Sequence, residues 1–531
     1  CPAVCQCDSS AAVTCVGYSI TDVPTPLPAA TSLLQIHGTS VTTVNERSLA
    51  GLGLMTRFSL INSLLNTVHP EAFRLTPLLK SVKLSFNHLS TLPPQVFSPL
   101  TQLTQLQLDN NQLETLAPEM FKGLSDLLEI DLSKNRLWSL PEGLFDGLAK
   151  LQVLNLGRNS IKELPPTIFK PLADLQYLLL YHNKIEMLHV GMFDGLNNLT
   201  EELSLQNNLI THLPPDLFSK TLNLQKLFLS HNRLTSLPQG IFTNLPLLSQ
   251  ISLYKNQLES LGPGVFGPMP LKELWLYDNK LSRVEDDTFR NLTQLFLLVL
   301  SRNQISHVSA GAFRGLEKIG EISLHTNLLT SLEAGTFQGL PNLFHISLEH
   351  NFLSSLPAGV LQGVNRLENI DLHNNSFPNL PQTSLDSLTP ATTVLLQQNP
   401  WRCDLYILPL RDWLRNHPSK ANQTLVICES PFTTNGELIA LLEDTNVVPP
   451  NSTLQPGLNS TEKDGKPIVP QTTESTFSNT VNTTPMSDAE ENTGDGRTEN
   501  EAGSHETSVI LIVIAVVSTI IISTVILSCV C

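Results

Sequence analysis

Apolar residues recur along this chain with a period of 24 residues. The repeated pattern is Leu-x-x-Leu-x-Leu-x-x-Asn-x-Leu, in which most x positions are polar, and its asparagine is the easiest position to follow. The asparagines of successive repeats are Asn87, Asn111, Asn135, Asn159, Asn183, Asn208, Asn232, Asn256, Asn279, Asn303, Asn327, Asn351, Asn375 and Asn399. Thr39 and Ser63 hold the same position in two degenerate repeats, which makes sixteen repeats in all.

A second apolar column lies ten residues after each of these positions from Ser63 onward. It consists of Phe73, Phe97, Phe121, Phe145, Phe169, Phe193, Phe218, Phe242, Phe266, Phe289, Phe313, Phe337, Leu361 and Leu385. The two columns stay in phase across one extra residue near Glu201 or Glu202 and one missing residue near Pro270. Chance does not preserve two columns through an insertion and a deletion, so the pattern predicts a solenoid of stacked repeats.

Each repeat predicts one short strand. The Leu-x-Leu pair points inward and the residues between point outward, because side chains alternate along a strand. Parallel strands stacked at ~4.8 Å give a curved sheet roughly 75 Å long, which forms the concave face of the solenoid. The amide of the recurring asparagine both donates and accepts hydrogen bonds, so we expect it to satisfy backbone groups where each coil turns.

The cysteines cluster at the two ends of the repeat region. Cys1, Cys5, Cys7 and Cys15 open the chain, Cys403 and Cys428 follow the last repeat, and two more lie at positions 529 and 531. This arrangement favours disulfide-closed caps and an oxidising compartment. Sequence alone allows three pairings of the first four cysteines. Their spacing does not supply two ligand pairs for zinc, and we assign no metal.

Two end motifs carry a resemblance to a known family. The first is C-x3-C-x-C-x7-C at the start of the chain, and the second is NPWRCDLYILPLRDWL at residues 399–414. Together with repeats such as GPMPLKELWLYDNKLS from Gly267, they resemble the extracellular leucine-rich repeat proteins, over roughly residues 1–445. The resemblance implies an α/β repeat solenoid, a curved leucine-rich repeat horseshoe with disulfide-bonded caps at both ends.

The resemblance also implies the disulfide pairing. In the amino-terminal cap of this family Cys1 pairs with Cys7 and Cys5 with Cys15. The common carboxy-terminal cap has four cysteines and begins with C-x-C. Here Leu405 occupies the second position, which leaves Cys403 and Cys428 to bond to each other.

The chain divides into five predicted segments. Residues 1–30 form the amino-terminal cap, 31–399 the repeats and 400–445 the carboxy-terminal cap. Residues 446–507 carry ten acidic and three basic residues among many serines and threonines, which predicts a disordered, O-glycosylated stalk. Residues 508–531 carry no charge, which predicts one transmembrane helix and a single-pass type I plasma-membrane protein with extracellular repeats. The alternative is a lipid-anchor signal that is replaced by the anchor.

Seven Asn-x-Ser/Thr sequons agree with an extracellular location. They are Asn198, Asn291, Asn374, Asn422, Asn451, Asn459 and Asn482. Each short motif is weak alone, and about half of such sites are used in a secreted protein.

Charge and motifs exclude several functions. The formal net charge is −16, which argues against sequence-independent binding of nucleic acid. The sequence contains no phosphate loop, dinucleotide fingerprint, zinc-protease motif or nucleophile elbow. We therefore expect no enzyme activity and no cofactor.

Aromatic residues mark a candidate binding site on the concave face. Counted from each ladder position (the asparagine or its equivalent), residues at −6, −4, −2 and −1 are expected to point outward. Most repeats hold polar residues there, whereas the middle repeats hold Tyr177, Leu179, Tyr181, Phe228, Tyr254, Trp275 and Tyr277. Exposed aromatics in a concavity typically mark a binding surface. The ordinary alternative is scattered surface aromatics without function.

A second candidate lies nearer the carboxy terminus. His325, Glu349 and His373 occupy position −2 of three successive repeats, with His345 and His350 nearby. Such a group suggests a metal site or a pH-sensitive patch, although solvated histidines are the commoner explanation.

The function implied by the resemblance is binding of extracellular matrix or cell-surface proteins, with a role in cell adhesion or migration. Partners of the collagen, fibronectin or laminin class follow from the family alone. Two alternatives are a non-catalytic carrier subunit of a secreted enzyme and an innate pattern-recognition receptor. Fold analogy does not name the ligand.

Overall fold

The computed structural model describes residues 1–447. The predicted stalk from residue 448 onward and the predicted membrane helix at 508–531 lie outside the described residues. The structure shows the expected solenoid, in which each coil contributes one short strand to a continuous parallel sheet.

The described part contains twenty-two strands, most of them three residues long. They are β1 (Cys5–Cys7), β2 (Ala12–Val16), β3 (Leu33–His37), β4 (Thr43–Val44), β5 (Arg57–Ile61), β6 (Thr67–Val68), β7 (Ser81–Lys83), β8 (Gln105–Gln107), β9 (Glu129–Asp131), β10 (Val153–Asn155), β11 (Tyr177–Leu179), β12 (Glu202–Ser204), β13 (Lys226–Phe228), β14 (Gln250–Ser252), β15 (Glu273–Trp275), β16 (Arg283–Val284), β17 (Leu297–Val299), β18 (His307–Val308), β19 (Glu321–Ser323), β20 (His345–Ser347), β21 (Asn369–Asp371) and β22 (Thr393–Leu395). Eighteen form the main sheet, and the pairs β4–β6 and β16–β18 form two small parallel sheets.

The register of the main sheet follows the repeat. Only β1 and β2 pair antiparallel, and every later strand pairs parallel with the strand of the next repeat. Counted from the ladder position, residue −5 of each repeat is buried, as at Leu154 and Leu178. Residues −6 and −4 are partly exposed in most repeats. The residues at −6, −4 and −2 together form the open side of the sheet, which we call the sheet face.

The phenylalanine column forms the centre of the core. All its members are buried, and most successive rings contact one another, with centroids 5.7–6.3 Å apart. No single repeat encloses its own apolar residues, so the stacking of neighbours supplies the core, as repeat architectures require.

The ladder asparagines satisfy backbone groups as expected. The amide of Asn159 donates to the carbonyl oxygens of Leu132 and Leu156, both at 3.0 Å, and its Oδ1 accepts from the backbone N–H of Leu137 at 3.0 Å. Thr39 and Ser63, at the degenerate positions, satisfy fewer backbone groups than the asparagines do. Their hydroxyl groups bond to each other at 2.8 Å. The prediction about the ladder is confirmed.

The residue before each ladder position adopts the left-handed backbone conformation in all sixteen repeats, with φ between 49° and 63°. Only Gly38 is a glycine at this position, and the others include Phe86 and Thr326. L-residues rarely adopt this conformation, so the fold imposes it on the chain. Consequently the side chains at −1 all project from the turn in the same direction relative to their own repeat.

Both ends of the repeats are closed by disulfides. The structure contains the pairs Cys1–Cys7, Cys5–Cys15 and Cys403–Cys428 that the family resemblance implies. At the far end lie α1 (Gln382–Leu388) and α2 (Leu408–Asn416). One 3₁₀ turn, Leu405–Ile407, directly precedes α2, and three more follow it at Gln423–Leu425, Ile439–Leu441 and Asp444–Asn446. The buried Trp401 stacks on Phe377 at 6.2 Å, which continues the core into this cap.

The predicted plasma-membrane localisation requires correction. Within residues 1–447 the structure has no helix that is both long enough and apolar enough to cross a bilayer. The segment 508–531, on which that prediction rested, is not among the described residues.

Candidate protein-binding face

Three of the predicted aromatic residues form one connected group on the sheet face. The rings of Tyr254 and Tyr277 stack with centroids 4.6 Å apart and planes 7° apart. Trp275 meets Tyr277 edge to face at 6.2 Å. We call Tyr254, Trp275 and Tyr277 the aromatic cluster. All three side chains are partly exposed, so they combine mutual support with surface available to a partner.

Neighbouring polar groups fix the cluster in place. The indole N–H of Trp275 donates to a carboxylate oxygen of Glu273 at 3.2 Å, two residues earlier on β15. His231 meets Tyr254 edge to face at 5.4 Å from the preceding repeat. A binding site gains from such support because less side-chain freedom is lost when a partner docks.

The phenol of Tyr277 stays neutral over a wide pH range. Burial raises its pKa to about 12, with further contributions from Tyr254 and Asp278, while Arg302 acts in the opposite direction. A neutral phenol both donates and accepts hydrogen bonds, so the centre of the cluster offers apolar area together with a polar tip.

The other predicted aromatics do not join this cluster. Tyr181 lies three repeats from Tyr254, and its ring covers Gly157 of the preceding repeat, where an added Cβ would come within 2.4 Å of the ring. Phe228 shares the −4 column with Trp275, but Ser252 separates them. Tyr177 and Leu179 lie on β11 beside Tyr181. The seven residues therefore divide between a group on β11, the single Phe228 and the aromatic cluster.

The histidine and carboxylate group has a different arrangement from a metal site. No group of three or more His, Cys, Asp or Glu side chains suited to a metal occurs within residues 1–447. His373 instead bonds through Nδ1 to Asp371 at 2.6 Å, and its ring meets that of His350 at 4.9 Å. His325 bonds to the hydroxyl group of Thr326 at 3.0 Å.

Glu349 is the unusual member of this group. Burial raises its pKa to about 7, and the neighbouring Asp371 contributes to the shift. Its Oε2 is buried and has no hydrogen-bond partner. A buried carboxylate oxygen without a partner is costly when the group is ionised, so we expect this residue to make the stability of the carboxy-terminal repeats depend on pH.

Four of the predicted glycosylation sites lie in the described part of the chain. Asn198, Asn291, Asn374 and Asn422 are all exposed, as glycan attachment requires. Asn374 occupies position −1 of its repeat, next to the sheet face. The remaining sites, Asn451, Asn459 and Asn482, are outside the described residues, and use of all seven stays a prediction.

Two further surface features were not predicted from the sequence. An open pocket of about 500 Å³ near the amino terminus is lined in part by Tyr18, Leu64 and Phe86, all of which are well exposed. Immediately before β17 and β20, the rings of Phe296 and Phe344 approach at 5.9 Å across Gly320, which precedes β19. Phe86 occupies position −1 of its repeat, so the column numbering that identifies the other outward aromatics also identifies this one.

Comparison with known proteins decides the family. The protein-family model described as leucine rich repeat matches ten overlapping segments of this sequence. Together they run from residue 55 to residue 377, well over half of the chain. The chain belongs to the leucine-rich repeat family. The repeats of this leucine-rich repeat protein extend beyond the matched region at both ends, from Thr39 to Asn399.

Individual curated relatives share only short stretches with this leucine-rich repeat protein. Human platelet glycoprotein Ib beta chain is 38% identical over 60 residues, which is 11% of this chain and 29% of that protein. Human leucine-rich repeat-containing protein 15 is 42% identical over 52 residues, which is 10% of this chain and 9% of that protein. The matched stretch thus spans less than a third of either relative, and no individual relative is established.

Solved structures share the fold over most of the chain. The Toll–Spatzle complex of Drosophila matches with a TM-score of 0.63 and 21% identity, covering 81% of this chain and 71% of that one. A leucine-rich repeat protein of Leptospira interrogans matches with a TM-score of 0.53 and 25% identity, covering 76% and 93%. The plant peptide hormone receptor RGFR1 in complex with RGF2 matches with a TM-score of 0.55 and 20% identity, covering 78% and 70%. These similarities confirm the horseshoe fold, whose sheet face is the concave side.

Proposed function

We propose that this leucine-rich repeat protein is a non-catalytic binding protein whose sheet face holds an extracellular matrix or cell-surface protein. The observation that carries the proposal is the aromatic cluster, three mutually supported rings that remain partly exposed in the middle of the solenoid. The family resemblance favours a partner of the collagen, fibronectin or laminin class and a role in adhesion or migration. Two proteins of the same fold, Toll and RGFR1, were solved bound to Spatzle and to RGF2.

The chemistry of the cluster suits a protein partner. Large aromatic side chains bury much area with few rotatable bonds, which is why Tyr and Trp dominate the energetic centres of interfaces. Glu273 holds the indole of Trp275, and Tyr254 supports Tyr277, so both anchors are ordered before the partner arrives. The exposed polar side chain of Gln250, on β14 of the same repeat as Tyr254, contributes to a rim.

The direct test measures binding of the full chain to immobilised collagen, fibronectin and laminin. Removing an interfacial anchor typically costs 2 kcal/mol or more, roughly thirtyfold in affinity. We therefore expect Trp275→Ala to weaken binding at least thirtyfold to whichever protein binds. The matched control is Gln105→Ala, an outward residue of β8 in an early polar repeat, which should change affinity less than threefold.

Two results would contradict the proposal. Equal affinities of the wild-type chain, Trp275→Ala and Gln105→Ala would remove the aromatic cluster from the interface. Absence of binding to all three matrix proteins would remove this class of partner.

A further inference from the structure

The residues on either side of the ladder position, at −1 and +1, form one exposed strip beside the sheet face, which we call the ladder edge. Side chains of neighbouring repeats meet along it. The amide of Gln112 lies 3.1 Å from Nδ1 of His88, both at +1, and the ammonium group of Lys280 donates to Gln257 at 3.1 Å, also both at +1. At −1, the shared left-handed backbone sends every side chain out in the same way.

Basic residues are concentrated on the ladder edge of the repeats from Asn135 to Asn303. The eight cations there, all exposed, are Lys134, Arg136, Arg158, Lys184, Arg233, Lys255, Lys280 and Arg302. The only acidic residue at the same positions of these described repeats is Asp278, which pairs with Arg302 at 2.5 Å. The strip is therefore strongly basic although the whole chain carries a net charge of −16.

The sheet face of the same repeats has the opposite charge. Four carboxylates point outward there against the single basic residue Lys226, namely Glu129, Asp131, Glu202 and Glu273. The fold thus separates charge by position within the repeat, with anionic groups on the sheet face and cationic groups on the ladder edge. A net charge summed over the chain conceals this separation.

Two histidines on the ladder edge respond to the neighbouring cations. Burial lowers the pKa of His182, and Arg158 lowers it further. Burial likewise lowers the pKa of His231, followed by Lys255 and His182. In each case a cation of a neighbouring repeat is close enough to act on the histidine, although Asp278 opposes the effect at His231, so the charges of adjacent repeats influence one another along the strip.

We propose that the ladder edge of these repeats binds a linear sulfated polysaccharide. Eight repeats at ~4.8 Å give a basic strip about 34 Å long, enough to follow several sugar units. The strip presents arginine and lysine side chains in a row, and arginine forms paired hydrogen bonds with oxyanions. The three disulfides indicate an oxidising compartment, in which sulfated polysaccharides rather than nucleic acids are the abundant polyanions.

A protein partner suits this strip less well. Protein interfaces depend on aromatic and apolar anchors in buried pockets, with charged groups at the rim. The ladder edge of these repeats holds cations with only Leu209 as a large apolar residue. Binding here would be electrostatic and sensitive to salt, whereas binding at the aromatic cluster depends on burial of apolar area. The inference goes beyond the proposed function, since it concerns another surface and another class of ligand.

The test uses heparin as the probe and the full chain in three forms. The first is the wild-type chain. The second carries Lys134→Gln, Arg158→Gln, Lys184→Gln and Arg233→Gln on the ladder edge. The third, a control of equal net charge, carries the same change at four exposed lysines elsewhere on the solenoid, which are Lys80, Lys170, Lys220 and Lys272.

We expect heparin to bind the wild-type chain with an affinity that falls as salt rises. The ladder-edge variant should bind about tenfold more weakly at 0.15 M salt, because four cationic contacts along the strip are lost, while the control should stay within about twofold. Absence of heparin binding, or equal losses in the two variants, would overturn the proposal. Competition by duplex DNA or polyglutamate of matched charge as effective as by heparin would also overturn it, since the strip would then select no polysaccharide. Trp275→Ala should leave heparin affinity unchanged, which separates this test from that of the proposed function.

Discussion

Tyr277 stacks on Tyr254 at 4.6 Å although 23 residues, and not the usual 24, separate the two positions. The missing residue near Pro270 lies between them. Asn279 nevertheless keeps its ladder bonds to the carbonyl oxygen of Leu253 and to the N–H of Leu258, both at 3.1 Å. The shortened coil is therefore accommodated away from the sheet, and the stack survives on the sheet face.

The stack predicts a measurable coupling between its two rings. In chemical unfolding of the chain with Tyr254→Ala, Tyr277→Ala and both, we expect the double variant to lose about 0.5–1.5 kcal/mol less than the sum of the single losses. The matched pair is Tyr181→Ala with Tyr254→Ala, three repeats apart, whose losses should add within ~0.5 kcal/mol. Additive losses for Tyr254 and Tyr277 would show that the contact contributes nothing to stability.

The ladder predicts an uneven cost of substitution. Asn159→Ala strands the N–H of Leu137 inside the solenoid, and a buried unpaired group costs about 1–3 kcal/mol. The carbonyl oxygens of Leu132 and Leu156 also lose a bond but still accept from Asn135 and Asn183. Thr39→Ala removes one hydroxyl–hydroxyl bond, so its cost should stay near ~1 kcal/mol. Urea unfolding of the two variants gives the comparison, and equal losses would contradict this account of the ladder.

Glu349 predicts a dependence of stability on pH. Its folded-state pKa of about 7 lies above the ordinary value of 4.5, so the stability linked to its protonated form is complete below pH 4.5 and is lost as pH rises through 7. Glu349→Gln should therefore unfold like the wild-type chain at pH 4 but be more stable at pH 8, by up to ~3 kcal/mol.

The control for this change is Glu114→Gln, at an exposed glutamate of an early repeat, which should show no comparable dependence. Unfolding midpoints at pH 4, 6 and 8 provide the measurement. A stabilisation by Glu349→Gln that is already complete at pH 4 would mean that packing, and not ionisation, accounts for the effect.

The Cys403–Cys428 and Cys1–Cys7 disulfides close loops of different length, so we expect their removal to lower the free energy of unfolding by different amounts. The Cys403–Cys428 bond closes a loop of 25 residues and the Cys1–Cys7 bond a loop of 6. Chain-entropy estimates give about 3.5 kcal/mol for the longer loop and about 2 kcal/mol for the shorter one. Replacing both cysteines of each pair by serine should therefore destabilise the chain more at the carboxy-terminal cap. The reverse order in chemical unfolding would contradict the estimate.

The repeat made most of the fold predictable. Position −5 and the +10 phenylalanine column are fixed by periodicity, because only one side of a stacked coil is buried. The direction of Tyr181 was not predictable in the same way. Its ring lies over Gly157, and that contact depends on the absence of a side chain in another repeat. The sequence therefore predicted that Tyr181 lies on the sheet face, but it did not predict that the ring turns over Gly157.

Charge was harder to predict than packing. The negative net charge of −16 argued against a cationic surface, yet the cations occupy −1 and +1 while the carboxylates occupy the sheet face. The raised pKa of Glu349 likewise depends on burial by neighbouring repeats and on Asp371. The basic ladder edge and the raised pKa of Glu349 both depend on which residues of neighbouring repeats lie side by side. A net charge summed over the whole chain does not contain this information.

The left-handed turn before every ladder position has a consequence for protein engineering. Sixteen consecutive turns share one backbone geometry and direct their side chains into solvent. Each of these positions can therefore be substituted independently while the backbone of the solenoid stays the same. A combinatorial library that varies them among Asn, Asp, His, Lys, Arg and Gly, and avoids proline, would recode the surface one repeat at a time. Selectivity for new ligands could then be evolved without redesigning the apolar interior.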